Sequence, residues 1–247
     1  MNGIFQSFFY QPILNLLVFL YNIFGDLGLA IIFLTILIKL ILYPLSKKSI
    51  KSQKALQDLQ PKIEEVKKKN KGDQQATSVE LMALYKENKV NPFSSCLPLL
   101  IQLPFFIAIF RVFRDGFAQN HLDLLYTFVK NPGTIDVISF GFFNLAEKSI
   151  VLALLAGLAQ FWQAKMMTTK KPEIKTEGAK DEGMMAIMNK QMLYIMPGVT
   201  VFIGLTMPAG LTFYWFLTTL FTALQQKVTF NKDRDDSNKI KEVKVLN

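Results

Sequence analysis

Residues 28–45, GLAIIFLTILIKLILYPL, form an apolar run long enough for a helix to cross a hydrocarbon core, with one charge, Lys39, inside it. A core of about 30 Å needs roughly 17–25 apolar residues in a helix. A charge at that depth costs about 3 kcal/mol on insertion scales. A soluble domain rarely combines such runs with 51% hydrophobic residues, 22 Phe and a positive mean hydropathy, so the chain reads as a membrane protein. Five stretches qualify as spans: 28–45, 94–113, 149–166, 191–207 and 209–227. Pro208 and Gly210 turn the chain between the last two. The expected fold class is all-α, a polytopic protein with five transmembrane helices.

Charge sets the expected orientation. Of the 28 Lys and Arg, segment 46–93 holds 11, segment 165–190 holds 6 and the tail 227–247 holds 6, whereas residues 1–27 hold none. The positive-inside rule then places the N-terminus outside and the C-terminus in the cytoplasm, and five spans fit that parity. The net charge of +9 is mainly this topology signal. A nucleic-acid surface is the lesser reading, save for contact with a ribosome at the same face. Lys-rich and Asn-rich composition points to a bacterial plasma membrane. The stretch 8–28 is apolar, but Gln11, Pro12, Asn15 and Asn22 interrupt it. It is expected to lie as a helix in the outer interface, the alternative being a true span or an uncleaved signal anchor. Residues 46–93 are polar and Lys-rich. Leu56, Leu59, Ile63 and Val66 make one helical stripe, Val79 and Met82 begin a second, and NKGD at 70–73 is a turn. An αα-hairpin follows, with Pro61 expected to kink or interrupt its first helix.

Several spans carry polar side chains at similar depth. At 1.5 Å per residue, Lys39 lies about 16 Å below Gly28. Gln160 lies as far into the third span, Thr222 about as far into the fifth, and Gln102 lies 8 residues from the cytoplasmic edge of the second, a little below the midplane. Thr35 with Lys39, Gln160 with Gln163, and Trp215 with Thr218 and Thr222 are spaced to share helix faces. Thr and Gln commonly join helices by hydrogen bonds. Lys39 is different, because no acidic residue lies within a span to neutralise it. The expected answer is a hydrated groove, open to the cytoplasm and closed toward the outside.

Other chemistries have little material. One cysteine, Cys96, excludes an intrachain disulfide and reads as a packing residue. One histidine, His121, reads as a surface loop residue, and an intramembrane enzyme would have to be built on it. Neither a glycine-rich phosphate loop nor HExxH is present. Pro98 and Pro104 are expected to bend the second span.

These stretches resemble the YidC insertases, the family that includes the mitochondrial Oxa and chloroplast Albino proteins. GLAIIFLTILIKLILYPL resembles the first core span. LQPKIEEV and LMALYKENKVNPFSSCLPLLIQLPFF resemble the hairpin and the start of the second span. MPAGLTFYWFLTTLFTALQQ resembles the closing span, and FYQPILNLLVFLYNIFGDLG the external interfacial helix. The resemblance implies five core spans around a hydrophilic groove. It implies insertion of newly made membrane proteins from the lipid bilayer's cytoplasmic side, alone or beside the Sec translocon, with no cofactor, no metal and no enzymatic step. Similar proteins carry a groove cation, usually Arg, which falls on Lys39 here. Lysine keeps the charge but lacks the planar fork. Gln160 or Gln163 and Trp215 match further groove positions. The chain departs from relatives with a large external domain and from those with an N-terminal lipoprotein cysteine. Its tail, with 6 basic and 4 acidic residues, gives weak support for ribosome docking. A small-solute channel or transporter would predict a through-going pore and often a repeat of spans, and no repeat is visible. An assembly scaffold without translocation activity is the other alternative.

Overall fold

The computed structural model describes residues 3–91, 97–115, 124–167 and 191–245. The chain is mostly helical and divides into two units. The first comprises residues 1–43, 98–160 and 197–221, the second 44–97, 161–196 and 222–247. A helical turn (Gly3–Phe5) and a π-helix (Gln6–Tyr10) lead into α1 (Gln11–Phe24). They are followed by α2 (Leu27–Lys69), α3 (Gln74–Glu87), α4 (Leu97–Asp115) and a two-stranded antiparallel ribbon, β1 (Ile138–Ser139) with β2 (Phe143–Asn144). Next come α5 (Ile150–Met167), a π-helix (Gln191–Ile195), α6 (Met196–Thr206) and α7 (Ala209–Val245). Among the described residues, Gly3–Phe24, Leu27–Lys69 and Ile150–Met167 are long and apolar enough to cross a membrane, and Gln191–Thr206 is a shorter apolar helix. Cys96 and His121 lie outside the described residues.

In the first unit, one apolar core joins Leu14, Leu17 and Val18 of α1 to Leu27, Ile31 and Leu34 of α2, Ile109 and Val112 of α4, and Leu211 and Tyr214 of α7. The polar positions that interrupt α1 serve a purpose. The Asn15 amide donates to the carbonyls of Gln11 and Leu124, and its oxygen accepts from the Tyr126 amide. Gln11 also donates to Leu124, Asn22 donates to the Lys130 carbonyl, and the Tyr21 hydroxyl accepts from the Asp136 amide. The segment 124–136 is thus stitched along α1.

The α1–α2 corner is built around Asp26. One carboxylate oxygen caps α2 at the Leu29 amide, 2.9 Å away, and the other accepts from the Phe140 amide at 2.7 Å. Phe140 and Gly141 both have positive φ, 54° and 79°, as the tight turn of the β1–β2 ribbon requires. A phenylalanine in that region is strained. The Asp26 bond holds it, and its ring lies over Gly28, where any Cβ would collide with it.

Pairing of α5 with α6 uses small residues. A Cβ on Gly157 would run into Val201, and one on Gly204 would press on Ala153. Such small-residue contacts let membrane helices approach closely. Gly157→Ala should therefore destabilise the protein by about 1–3 kcal/mol through overpacking. Thermal melting in detergent checks this. Val201→Ala in the same chain should restore much of the loss, and a Gly157→Ala variant that melts like the parent would refute the contact.

In the second unit, Leu59, Ile63 and Val66 are buried and Leu56 half-buried along the C-terminal part of α2, as the first stripe predicts, and Ile50 is buried as well. Three expectations for this region need correction. The first span and the first hairpin helix are one continuous helix, and neither Pro44 nor Pro61 interrupts it. Each proline removes only its own N–H, and the helix-favouring residues around it carry the helix on. Of the second stripe, read as Val79, Met82 and the run LMALYKEN, Leu81, Leu84 and Tyr85 of the run are half-buried, whereas Val79 and Met82 are exposed. Asp73 caps α3 at the Ala76 amide, and Glu80 receives Lys69 at 2.7 Å together with the Asn70 amide. These contacts fix the rotation of α3. The hydrogen bond from Lys69, then that from Asn70, holds the Glu80 carboxyl below the usual carboxylate range. Finally, the tail after 227 continues the helix of the closing span to Val245.

Candidate functional site

The predicted polar residues fall in two places within the first unit. On α4 and α7, Gln102 donates its amide to the Tyr214 hydroxyl, and the Thr218 side chain lies against the same hydroxyl, one turn along α7. One turn along α4 from Gln102, Phe106 meets Trp215 edge-to-face, with ring centroids 5.4 Å apart. The two helices are therefore joined by a polar rung and an aromatic rung side by side. Tyr214 is almost fully buried, and a buried phenol requires a partner. Sequence reasoning missed it. The signal was a tyrosine beside Trp215 in an otherwise apolar span, facing a helix that offers one glutamine.

The other place is α2. Thr35 is fully buried, and its hydroxyl donates to the Ile31 carbonyl at 2.6 Å. That proton is committed to the helix's own backbone. Lys39, one turn on, is half-buried and does engage another group. The expectation of a lysine with nothing to neutralise it is corrected to that extent. A flexible four-carbon stem can reach a neutral acceptor, which a search for carboxylates overlooks. Gln160 is half-buried on α5 in the first unit. Gln163 on α5 and Thr222 on α7 belong to the second unit, where both are half-buried. Farther along α7, Gln226 is buried, and its side-chain oxygen has no hydrogen-bond partner among the described residues. Among those residues no cluster of His, Cys, Asp or Glu could hold a metal ion.

Three apolar helices of spanning length among the described residues mark a multi-pass membrane protein. The chain belongs to the family described as 60Kd inner membrane protein, whose family model matches residues 19–236. It is 34% identical over 231 residues to the membrane protein insertase YidC of Fusobacterium nucleatum, covering 92% of this chain and 99% of that one. It is 34% identical over 241 residues to the YidC of Chlamydia trachomatis serovar D, and 33% identical over 240 residues to that of Helicobacter pylori strain J99. These matches cover 95% and 96% of this chain but only 30% and 39% of those proteins.

Proposed function

We propose that this chain is a membrane protein insertase, a non-enzymatic protein that moves newly made membrane proteins from the cytoplasmic face into the bilayer. The observation that carries this reading is the match to the Fusobacterium relative, named an insertase, over nearly the whole of both chains. In this reading five spans, formed by the first part of α2 and by α4, α5, α6 and the first part of α7, surround a hydrophilic groove. Lys39, Gln102, Gln160, Gln163, Trp215, Thr218 and Thr222 line it, with Thr35 supporting Lys39 from the turn above. The N-terminus is outside and the C-terminus cytoplasmic. The helix α1 lies in the outer interface, which its ladder of hydrogen bonds to the external segment supports.

The α2–α3 hairpin receives a nascent hydrophobic segment. Val79 and Met82, exposed at 67% and 68%, offer it apolar contact. The short polar flank of the substrate enters the groove, and the hydrophobic segment then moves into lipid. Apolar transfer drives that step at about 25 cal/mol per Å², so no nucleotide is consumed. The Sec translocon and the ribosome are the proposed partners at the cytoplasmic face. Proteoliposomes holding only this protein should insert a short single-span substrate, seen as protease protection of its translocated flank, well above protein-free liposomes. Equal protection in both would refute an independent insertase and leave a scaffold or a Sec-dependent partner.

A further inference from the structure

We propose that Arg111 binds the headgroup phosphate of an anionic phospholipid, in a site built from the N-terminal aromatic segment and the end of α4. Arg111 is half-buried, and its guanidinium carbon lies 5.0 Å from the centre of the Phe5 ring. The Phe5 ring stacks on Phe9 at 5.6 Å, and Phe9 meets Phe105 edge-on at 5.6 Å. These rings anchor the residues before α1 to α4 and present one aromatic face to the arginine.

A cation–π contact uses the face of a guanidinium and leaves its in-plane N–H donors free. Among the described residues no carboxylate or other acceptor pairs with Arg111. A half-buried arginine with its fork unused matches a planar bidentate acceptor such as a phosphate. Two features make that acceptor a lipid. Ile4 and Phe8, flanking Phe5, are 77% and 73% exposed, so the segment offers apolar side chains to acyl chains where α4 offers charge. Arg114 lies one turn on, over Phe110 at 5.5 Å, and its charge beside that of Arg111 at the end of α4 favours a headgroup with net negative charge. Within the π-helix Gln6–Tyr10, Phe9 packs against the core while Phe8 is exposed. The inference rests on the proposed orientation only for the leaflet, which would be the outer one.

Native mass spectrometry of the full chain, released from mixed phosphatidylglycerol and phosphatidylcholine micelles, tests the site. The parent should retain one phosphatidylglycerol in preference to phosphatidylcholine. Arg111→Ala should weaken retention about tenfold and Arg111→Lys about threefold, because lysine keeps the charge without the fork. Retention of phosphatidylglycerol by Arg111→Ala within twofold of the parent overturns the proposal, as does equal retention of the two lipids by the parent. If Arg111→Ala does not fold, Arg111→Lys decides, and undiminished retention there overturns it. Competition by free phosphate at the same concentration would show a simple anion site and also overturn the lipid assignment. Insertion activity is not the readout, so either outcome leaves the proposed function standing.

Discussion

Replacing Lys39 with alanine should lower insertion of an acidic-flanked single-span substrate about tenfold, and Lys39→Arg should retain most of the parent rate. A translocating flank carries the costly part of the substrate, because one carboxylate at the bilayer centre costs about 2.5–3.5 kcal/mol on insertion scales. A cation at groove depth returns part of that cost. At the effective dielectric of a wet cleft a single charge interaction is worth about 1–4 kcal/mol, and 1.4 kcal/mol is already a factor of ten in rate. The effect should therefore depend on the substrate. A flank with its carboxylates changed to amides should lose much less when Lys39 is removed. The assay is protease protection in proteoliposomes, with the four combinations of protein and flank measured together. If every combination inserts equally, Lys39 only hydrates or snorkels, and its role toward the substrate is withdrawn while the insertase reading stands. If alanine and arginine fail alike, the group that Lys39 engages matters more than its charge.

The helices were legible because each repeats a local pattern along its own length. The buried Leu59, Ile63 and Val66 needed only the 3.6-residue period, and the predicted spans 28–45 and 149–166, which fall on helices long and apolar enough to cross a membrane, needed only apolar length. What escaped was set by contacts far apart in the chain. The rotation of α3, which leaves Val79 and Met82 outside, depends on Glu80 meeting Lys69 and Asn70 across the turn. Pro44 and Pro61 signal helix breaks in a local reading, yet the helix continues through both. The Tyr214 hydroxyl makes sense only once Gln102, 112 residues earlier, stands opposite it. Phe140 in a left-handed turn would not be chosen from propensity. It is tolerated because Asp26 and Gly28, from the start of α2, hold its amide and accept its ring.

Asn15→Leu should destabilise the first unit by about 1–3 kcal/mol. Asn15 is 2% exposed, so a leucine of similar size enters a packed site without needing space. The loss is polar. The Tyr126 amide, now 2.6 Å from the Asn15 oxygen, and the Leu124 carbonyl, 3.1 Å from its nitrogen, would both lose a partner at the edge of an apolar core. Each buried group left unsatisfied costs about 1–3 kcal/mol. For a chain of this size the melting temperature should fall by about 2–12 °C. Asn15→Asp should lie between, since its oxygen can still accept from Tyr126 and the Leu124 carbonyl keeps only the Gln11 donor. Limited proteolysis locates the effect, with cleavage within residues 124–136 rising many-fold while cleavage in the α2–α3 hairpin stays as in the parent. A variant that melts within 1 °C of the parent would mean that the segment 124–136 is held by its apolar contacts alone. The same variant bears on function through the proposed closure of the groove. If the segment stitched to α1 seals the outer end, loosening it at a temperature where the protein stays folded should let a small anion leak through proteoliposomes without raising insertion. A loss of insertion with no leak would instead make the segment a brace for α2 and α4.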